Sequence, residues 1–482
     1  MRIAFVNPPY KVAFSRASRW PEVTKSGTLY IPIFLCYAAA YAEKNGHEIF
    51  VLDAIAKNFD FEMAIAEIDK FKPEMVVFES STPSIKNDVA FIAKYKGDNP
   101  RVKTILVGTH PSALPDETMK LSPAIDFIAK HEYDETVVDI AKMVEGLKRP
   151  SQVDGLVYRD GQKILSTRPR EPMRNLDDIP FVSEIYKRFL KIEDYRYALA
   201  QHPMMQVMSS RGCPNMCTFC VYPQTLMGHA FRPRSAENFV KELIWISKNF
   251  HGLKEIFVED DTFTVDKERV LKICKLIKDN DLKIKWSANV RADVPYETLQ
   301  AMKDAGCRMV IVGYESGNQS ILNTIKKGIT IQMAEDFTIN AKKAGLKIFG
   351  CFMIGLPGET KETIEETFQF AKRLKPDMVF FQQAVPFPGT EFYNYCRLNK
   401  YLVANDWSEW LDKNGQLDCI VSYPDLTREE ICQLKDNLMI RYYTSPKHIL
   451  HTVTHNLNPS EITRLGKAGT QFLKYLVKRR KK

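Results

Sequence analysis

Apolar runs of six or seven residues stand at 2–7, 48–54, 75–80, 102–108 and 126–131. Between them lie stretches with helical patterns, such as 33–45 and 83–94. Strand and helix alternating through short loops predict a parallel, doubly wound sheet of Rossmann-like type over residues 1–145. The longest apolar candidate, 31–42, falls short of the roughly 20 residues of a membrane span and fits a buried helix. The first residues, Met1 to Val6, read as a strand rather than a signal peptide.

From about residue 146 to 200 the pattern changes. Residues 155–165 read as a β-hairpin turning at Asp160-Gly161, and Pro169, Pro172 and Pro180 follow, so this stretch is expected to be a linker. A second alternation then begins. Strands are expected at 205–210, 255–259, 284–290, 309–315, 348–354 and 378–385, with helices such as 236–249, 267–279, 296–305 and 361–374. Six β/α units are fewer than the eight that close a barrel, so residues 201–400 are expected to form a partial (β/α)6 barrel, open to a bulky substrate. Residues 401–482 lose the pattern and are read as a mainly helical region ending in a basic tail.

Composition adds bounds. A chain of 482 residues, 45% hydrophobic and 26% charged, is expected to be soluble, globular and divided into domains. The formal charge of +9 is modest at this length, and its basic residues are not interleaved with a recognisable RNA-binding motif. Seven of the ten cysteines are scattered singly, which points to a reducing cytoplasm.

The other three are not scattered. Cys213-Pro214-Asn215-Met216-Cys217-Thr218-Phe219-Cys220 has the spacing C-x3-C-x2-C. Structural zinc sites take four ligands, and no second cysteine pair completes one. Iron-sulfur clusters are held by thiolates, usually four. Three thiolates leave one iron of a [4Fe-4S] cluster for an outside ligand. This segment resembles the signature of the radical S-adenosylmethionine (SAM) enzymes. The resemblance implies that SAM chelates the unique iron and is cleaved to a 5′-deoxyadenosyl radical, with Cys213, Cys217 and Cys220 as the cluster ligands and catalytic core.

The wording of the whole chain up to about residue 400 resembles the cobalamin-binding branch of that superfamily, with a B12-binding domain ahead of the SAM barrel. Within the branch it is most similar to the hopanoid-biosynthesis-associated proteins called HpnJ. Shared phrases include residues 220–229, Asp260-Asp261-Thr262-Phe263-Thr264, 312–317, Lys326-Lys327-Gly328, Gly355-Leu356-Pro357-Gly358-Glu359-Thr360 and 386–390. The resemblance implies a SAM site built from Phe219, Glu259, Asp260, Ser287, Asn289, Arg291, Glu315 and Ile354. Phe219 is expected against the adenine. A carboxylate of Glu259-Asp260-Asp261 is expected on the SAM ammonium, although this acidic run replaces the family's two glycines and leaves the acceptor open. Ser287, Asn289 and Arg291 alternate on one strand and share a face, and an inward arginine there pairs with a carboxylate. Glu315 suits ribose hydroxyls and Ile354 an adenine face. Glu359 is assigned to capping near a helix N-terminus.

Ligands of doubly wound sheets bind at the carboxyl ends of the strands. Those ends carry Asn7, Pro8 and Pro9, then Ser80, Ser81 and Thr82, then Gly108, Thr109 and His110, which become the expected cobalamin contacts. No G-x-G-x-x-G dinucleotide fingerprint follows the first strand. The D-x-H-x-x-G motif that supplies a cobalt-binding histidine is absent, and His110 is expected to line the pocket. Asp53 and Glu132 either contact the corrin amides or cap helices.

The resemblance implies an enzyme that functionalises an unactivated carbon of a lipid-like or other large substrate, with a reducing partner such as flavodoxin or ferredoxin. Radical rearrangement or C–C bond formation on a lipid headgroup is the leading expectation. Cobalamin-dependent C-methylation stands as the alternative, and action on RNA as a further one. Residues 464–482 mix apolar with basic positions, a pattern that suits peripheral contact with an anionic membrane.

Overall fold

The structure of the protein, a computed structural model, describes residues 1–24 and 26–446. Strands β1 (Arg2–Asn7), β2 (Glu48–Asp53), β3 (Met75–Ser80), β4 (Lys103–Gly108) and β5 (Phe127–Ala129) form a parallel sheet in the order β2-β1-β3-β4-β5. The hairpin expected as part of a linker instead extends this sheet. Its strands β6 (Leu156–Asp160) and β7 (Lys163–Ser166) run antiparallel from the β5 edge. A three-residue β5 would otherwise leave backbone groups unpaired at that edge, and β6 covers them.

Both faces of the sheet are covered, as a parallel sheet requires. Along β3, Met75 and Val77 enter one apolar cluster, and Val76 and Phe78 enter the other. One of the covering elements is the helix Ile33–Lys44. Ile33, Phe34, Leu35, Cys36, Tyr37, Ala38, Ala39, Ala40 and Ala42 are all buried, so it is covered nearly all round. A helix of that kind lies inside a protein. It reaches the second half of the molecule through Tyr37, whose hydroxyl accepts from Met208 N (3.0 Å) and donates to Met208 O (3.2 Å).

The second half opens with β8 (Met204–Val207). A short antiparallel pair, β9 (Ser210–Arg211) and β10 (Arg232–Pro233), then brackets the cysteine loop. Strands β11 (Glu255–Val258), β12 (Trp286–Val290), β13 (Cys307–Glu315), β14 (Lys347–Ile354) and β15 (Met378–Gln383) complete a six-stranded parallel sheet in the order β15-β14-β13-β12-β11-β8. The expected partial barrel is present, open between β8 and β15. Backbone at Leu29 and Ile31 reaches the β8 side, with Leu29 N on Arg196 O (2.8 Å) and Ile31 N on Gln206 Oε1 (2.9 Å).

In the C-terminal region the helix Arg428–Tyr443 packs on β15, and the Tyr443 hydroxyl bonds both Val379 N (3.0 Å) and Val379 O (2.7 Å). The basic segment 464–482 lies outside the described residues. Among the described residues no helix is long and apolar enough to cross a membrane.

Glu79, on β3, is 3% exposed, and its Oε2 has no partner among the described residues. Burial pushes its carboxyl up to about 8 from an ordinary 4.5, with Arg16 pulling down and Asp53 and Asp88 pushing up. The folded state therefore holds the proton more tightly than the unfolded state. The stabilisation is fully present below about pH 4.5 and is lost as pH rises through about 8. Glu79→Gln has no charge to bury. Its stability relative to wild type should climb between about pH 5 and 8, by up to a few kcal/mol. A pH-independent difference in scanning calorimetry would show that Glu79 ionises at its ordinary value.

Candidate active site at the seam of the two sheets

The cysteine loop runs from Gly212 to Phe231, between β9 and β10. Both strands are anchored by the first domain. Arg211 donates to Asp134 Oδ2 (2.8 Å) and Oδ1 (3.1 Å) and lies 3.1 Å from Glu132. Arg232 donates to Glu132 Oε1 (3.0 Å) and Oε2 (2.7 Å). All four side chains are buried. Glu132 thus serves as an arginine partner and does not cap the following helix, whose N-cap is Tyr133.

Inside the loop, Gly212 has φ +80°, and a Cβ there would collide with the carbonyl oxygen of Ala230. Only glycine meets both demands. Cys213 N donates to Gly228 O (3.3 Å) and His229 Nδ1 sits 3.1 Å from Cys213 O, so the loop closes on itself. Cys213 and Cys217 are each 8% exposed, and Cys220 is half-buried. Asn215 Nδ2 donates to Cys213 Sγ (3.2 Å), and Thr262 Oγ1 lies 3.6 Å from it. Burial pushes the Cys220 thiol up, helped by Asp261 and opposed by Arg19. Burial also raises Cys217, with Lys327 and Arg291 pulling down. Binding iron would release these protons. No three His, Cys, Asp or Glu side chains among the described residues converge on one ion. A cubane asks for less, because each thiolate takes its own iron. Three thiols within eight residues of one short loop, two of them buried and the third half-buried, fit it.

The SAM residues expected from sequence lie around this loop with different partners. Phe219 is 9% exposed and part of the apolar core. Asp260 accepts from Ser209 N (2.6 Å), Ser209 Oγ (2.6 Å), Ser210 N (3.1 Å) and Ser210 Oγ (2.6 Å). Its acceptor positions are filled, and it fastens the end of β11 to the approach of the cysteine loop. Glu259 takes Arg19 Nη1 (2.5 Å) and Gln206 Nε2 (2.8 Å). Asp261 takes Arg19 Nη2 on Oδ1 (3.0 Å), and its buried Oδ2 has no partner. Ser287 Oγ is likewise buried and unpartnered. Asn289 Nδ2 donates to Asp260 O (3.1 Å). Arg291 holds Lys327 O (2.8 Å) and Gly328 O (3.2 Å). Glu315 ends β13 with φ +64° and pairs through Oε1 with Lys327 Nζ (2.7 Å). Ile354 is wholly buried. Glu359 Oε2 takes Gly355 N (2.6 Å) and Leu356 N (2.9 Å), so it braces the turn, while Thr360 caps the following helix. Burial pushes Glu359 up to about 8.

Sequence reasoning missed Arg19, Gln206 and Lys327 as neighbours of the site, and it left open which carboxylate of residues 259–261 stays free. Arg19 stands 240 residues from Glu259, and no local spacing signals that contact. Lys327 belongs to a phrase noted in the sequence, but its place beside Cys217 and Glu315 emerges only from the fold.

At the carboxyl end of the first sheet the expected residues do meet. Asn7 donates to Asp53 Oδ1 (2.8 Å) and accepts from Arg16 Nη1 (2.8 Å). Asp53 also accepts from Ile55 N (3.1 Å), Ala56 N (3.2 Å) and the Tyr195 hydroxyl (3.0 Å), so it fixes a turn. Pro8 O takes Arg16 Nη1 (2.7 Å), and Pro9 O takes Asn87 Nδ2 (2.7 Å). Ser80 Oγ donates to Asp88 (2.8 Å), and Ser81 Oγ sits 3.0 Å from Ser84 Oγ. Gly108 has φ +115°, and a Cβ there would strike Ser80 O, so strand packing alone demands glycine. Thr109 follows it, half-buried. His110 Nδ1 lies 3.2 Å from Thr82 Oγ1, and its buried Nε2 has no partner. Burial pushes His110 down to about 3, which keeps the ring neutral. The orphaned His110 Nε2 and Glu79 Oε2 fit a polar ligand at this end.

The sequence matches the Radical SAM superfamily over residues 207–371 and the B12 binding domain over residues 20–141. It is 32% identical, over 94% of this chain and 95% of the relative, to an uncharacterised methyltransferase of Pyrococcus horikoshii. The chain belongs to the radical SAM superfamily. It lies in the branch that carries a B12 binding domain. A radical SAM enzyme of this branch uses a [4Fe-4S] cluster, SAM and cobalamin. The chain is also 26% identical, over 82% of its length and 69% of the relative, to the anaerobic magnesium-protoporphyrin IX monomethyl ester cyclase of Rubrivivax gelatinosus. Among solved structures, the radical SAM methyltransferase TsrM from Kitasatospora setae, with cobalamin and a [4Fe-4S] cluster bound, has the same fold. Its TM-score is 0.70 at 16% identity, covering 92% of this chain and 89% of that one.

Gly212→Ala forces a side chain into left-handed backbone against Ala230 O. The cost should be about 1–3 kcal/mol or more, concentrated on the cysteine loop of this radical SAM enzyme. Reconstituted variant should hold less iron per chain than wild type. Equal iron and an equal melting temperature would show that the loop tolerates the change.

Proposed function

We propose that the protein is a cobalamin-dependent radical SAM C-methyltransferase. The reading is supported above all by one arrangement: the three-cysteine loop is clamped at both ends by Glu132 and Asp134 of the B12-binding domain, so the two cofactor regions share a seam. The 32% identical methyltransferase relative agrees with it. When bound, the cluster supplies the electron that cleaves SAM, and cobalamin supplies the methyl group.

The protein's own work is placement, charge and exclusion of water. Cys213, Cys217 and Cys220 hold the cluster. Lys327 and Arg291 bring positive charge beside Cys217 and suit the SAM carboxylate. Glu315 is held by Lys327 through one oxygen, which leaves the other for ribose hydroxyls. Phe219, Ile354 and the Gly355–Gly358 turn offer apolar surface and backbone to the adenine. On the opposite side, residues 7–9, 80–82 and 108–110 face the corrin. Trp407, 4.9 Å from the His110 ring, shields that end from solvent. A low-potential one-electron donor, flavodoxin or ferredoxin, completes the system.

Ring formation is kept as a second reading by the cyclase relative. The lipid-headgroup substrate and the hopanoid-associated subgroup rest on shared wording alone and rank behind both.

Anaerobically reconstituted protein, loaded with cobalamin, reduced, and given SAM carrying a trideuterated methyl group, separates the two chemistries. Methylation yields S-adenosylhomocysteine and 5′-deoxyadenosine together, with the label in the product. Alanine at Cys213, Cys217 or Cys220 should abolish both. 5′-Deoxyadenosine without S-adenosylhomocysteine would overturn methyl transfer in favour of ring formation or rearrangement.

A further inference from the structure

Arg19 belongs to the loop after β1, in the cobalamin-binding domain, yet its guanidinium lies among barrel residues. Nη1 donates to Glu259 Oε1 (2.5 Å). Nη2 donates to Asp261 Oδ1 (3.0 Å) and to Asp260 O (3.3 Å). The guanidinium carbon stands 4.9 Å from the ring centre of Tyr222, two residues beyond the last cysteine of the motif. The Asp261 and Glu259 side chains are only 3% and 4% exposed, while Arg19 keeps 21%.

This geometry separates three neighbouring carboxylates by what is left on each. Asp260 is filled by serine donors. Glu259 is shared by Arg19 and Gln206. Asp261 is held through one oxygen only, and Oδ2 is buried with no partner. Asp261 is close enough to the cysteine loop to push the Cys220 thiol up, and its neighbour Thr262 is 3.6 Å from Cys213 Sγ. A buried carboxylate oxygen without a donor is costly and calls for a cationic or hydrogen-donating ligand.

We propose that Arg19 is a cross-domain positioning residue: it holds Asp261 so that Oδ2 meets the ammonium of SAM, and it thereby makes SAM binding in the barrel depend on the docked cobalamin-binding domain. The proposal rests on the reading that SAM binds at this seam. It accounts for an arginine of one domain spending its donors on the other domain's acidic run. It also fixes the direction of coupling. Whatever tightens the first domain's β1 loop tightens SAM, and by reciprocity SAM tightens the loop's ligand.

The test uses full-length, cluster-reconstituted protein. SAM affinity is read by titrating the electron paramagnetic resonance spectrum of the reduced cluster, with and without hydroxocobalamin. Iron per chain is measured on the same samples. Arg19→Ala should weaken SAM about tenfold or more, because one partner of a buried pair is removed, while the iron content holds. Arg19→Lys, which restores charge but not the fork, should recover part of the loss. Asp261→Asn should weaken SAM by a similar factor, and adding Arg19→Ala to it should cost little more, since both act through one contact. Cobalamin should tighten SAM in wild type and do so less in Arg19→Ala. Wild-type affinity in Arg19→Ala with full iron content overturns the proposal. So does an Arg19→Ala loss that simply adds to that of Asp261→Asn. If Arg19→Ala fails to hold iron, Asp261→Asn against Arg19→Lys decides: wild-type SAM affinity in both overturns the proposal. Failure of wild type itself to perturb its cluster spectrum with SAM would sink the SAM reading, a result distinct from any Arg19 outcome.

Discussion

Taking a charge out of water costs several kcal/mol unless a partner goes with it. The seam of this molecule is made of such charges. Arg211 and Arg232 leave the barrel side, Glu132 and Asp134 leave the first domain, and all four are buried together. Separating the two halves would strand these charges, so the halves are held in one register. The helix Ile33–Lys44, buried nearly all round, adds the apolar part of the same constraint. Because Arg211 and Arg232 stand at the two ends of the cysteine loop, the register of the domains is also the geometry of that loop.

Rigidity then passes inward. Asp260, with four donors, ties the end of β11 to Ser209 and Ser210, just ahead of the loop. Gly212 lets the chain turn where any side chain would strike Ala230 O. Glu315 adopts φ +64°, strained for a non-glycine residue, and is held there by Lys327. Gly313 leaves room for that pair, since a Cβ there would meet Glu315 Oε1 and, at 2.9 Å, Lys327 Nζ. Sites that bind reactive ligands are expected to store strain in this way, offset by the packing around them.

Much of this was legible in the chain. Short, nearly continuous apolar runs marked all five parallel strands of the first sheet and all six of the barrel, because those strands are buried and must be apolar. The cysteine spacing is local and was read directly. What escaped is long-range. The contacts of Arg19 with Glu259, Arg232 with Glu132 and Arg211 with Asp134 span 240, 100 and 77 residues, and no periodicity encodes them. The acidic run 259–261 read as three equivalent acceptors. Only the fold shows serine donors filling Asp260 and an arginine from another domain holding its neighbours. The hairpin at 155–165 was legible as a hairpin but not as a sheet edge, because a strand's partner lies outside its own sequence.

The third region of the chain joins the same scheme. Lys86 on the first domain pairs with Asp406, and the neighbouring Trp407 lies against His110. Further on, the Tyr423 hydroxyl donates to Gly355 O (2.9 Å), and Ile431 packs where a Gly355 side chain would stand. One stretch, residues 406–431, therefore touches the carboxyl end of the first sheet and the glycine turn after β14. Each contact alone is worth little, about 1 kcal/mol for a net hydrogen bond. Their value lies in spanning both cofactor ends from one segment. A neutral, buried His110 with an unpartnered nitrogen survives only if water is kept from it or a ligand meets it. Trp407 supplies the first condition, and the strand ends of the B12-binding sheet supply the place for the second.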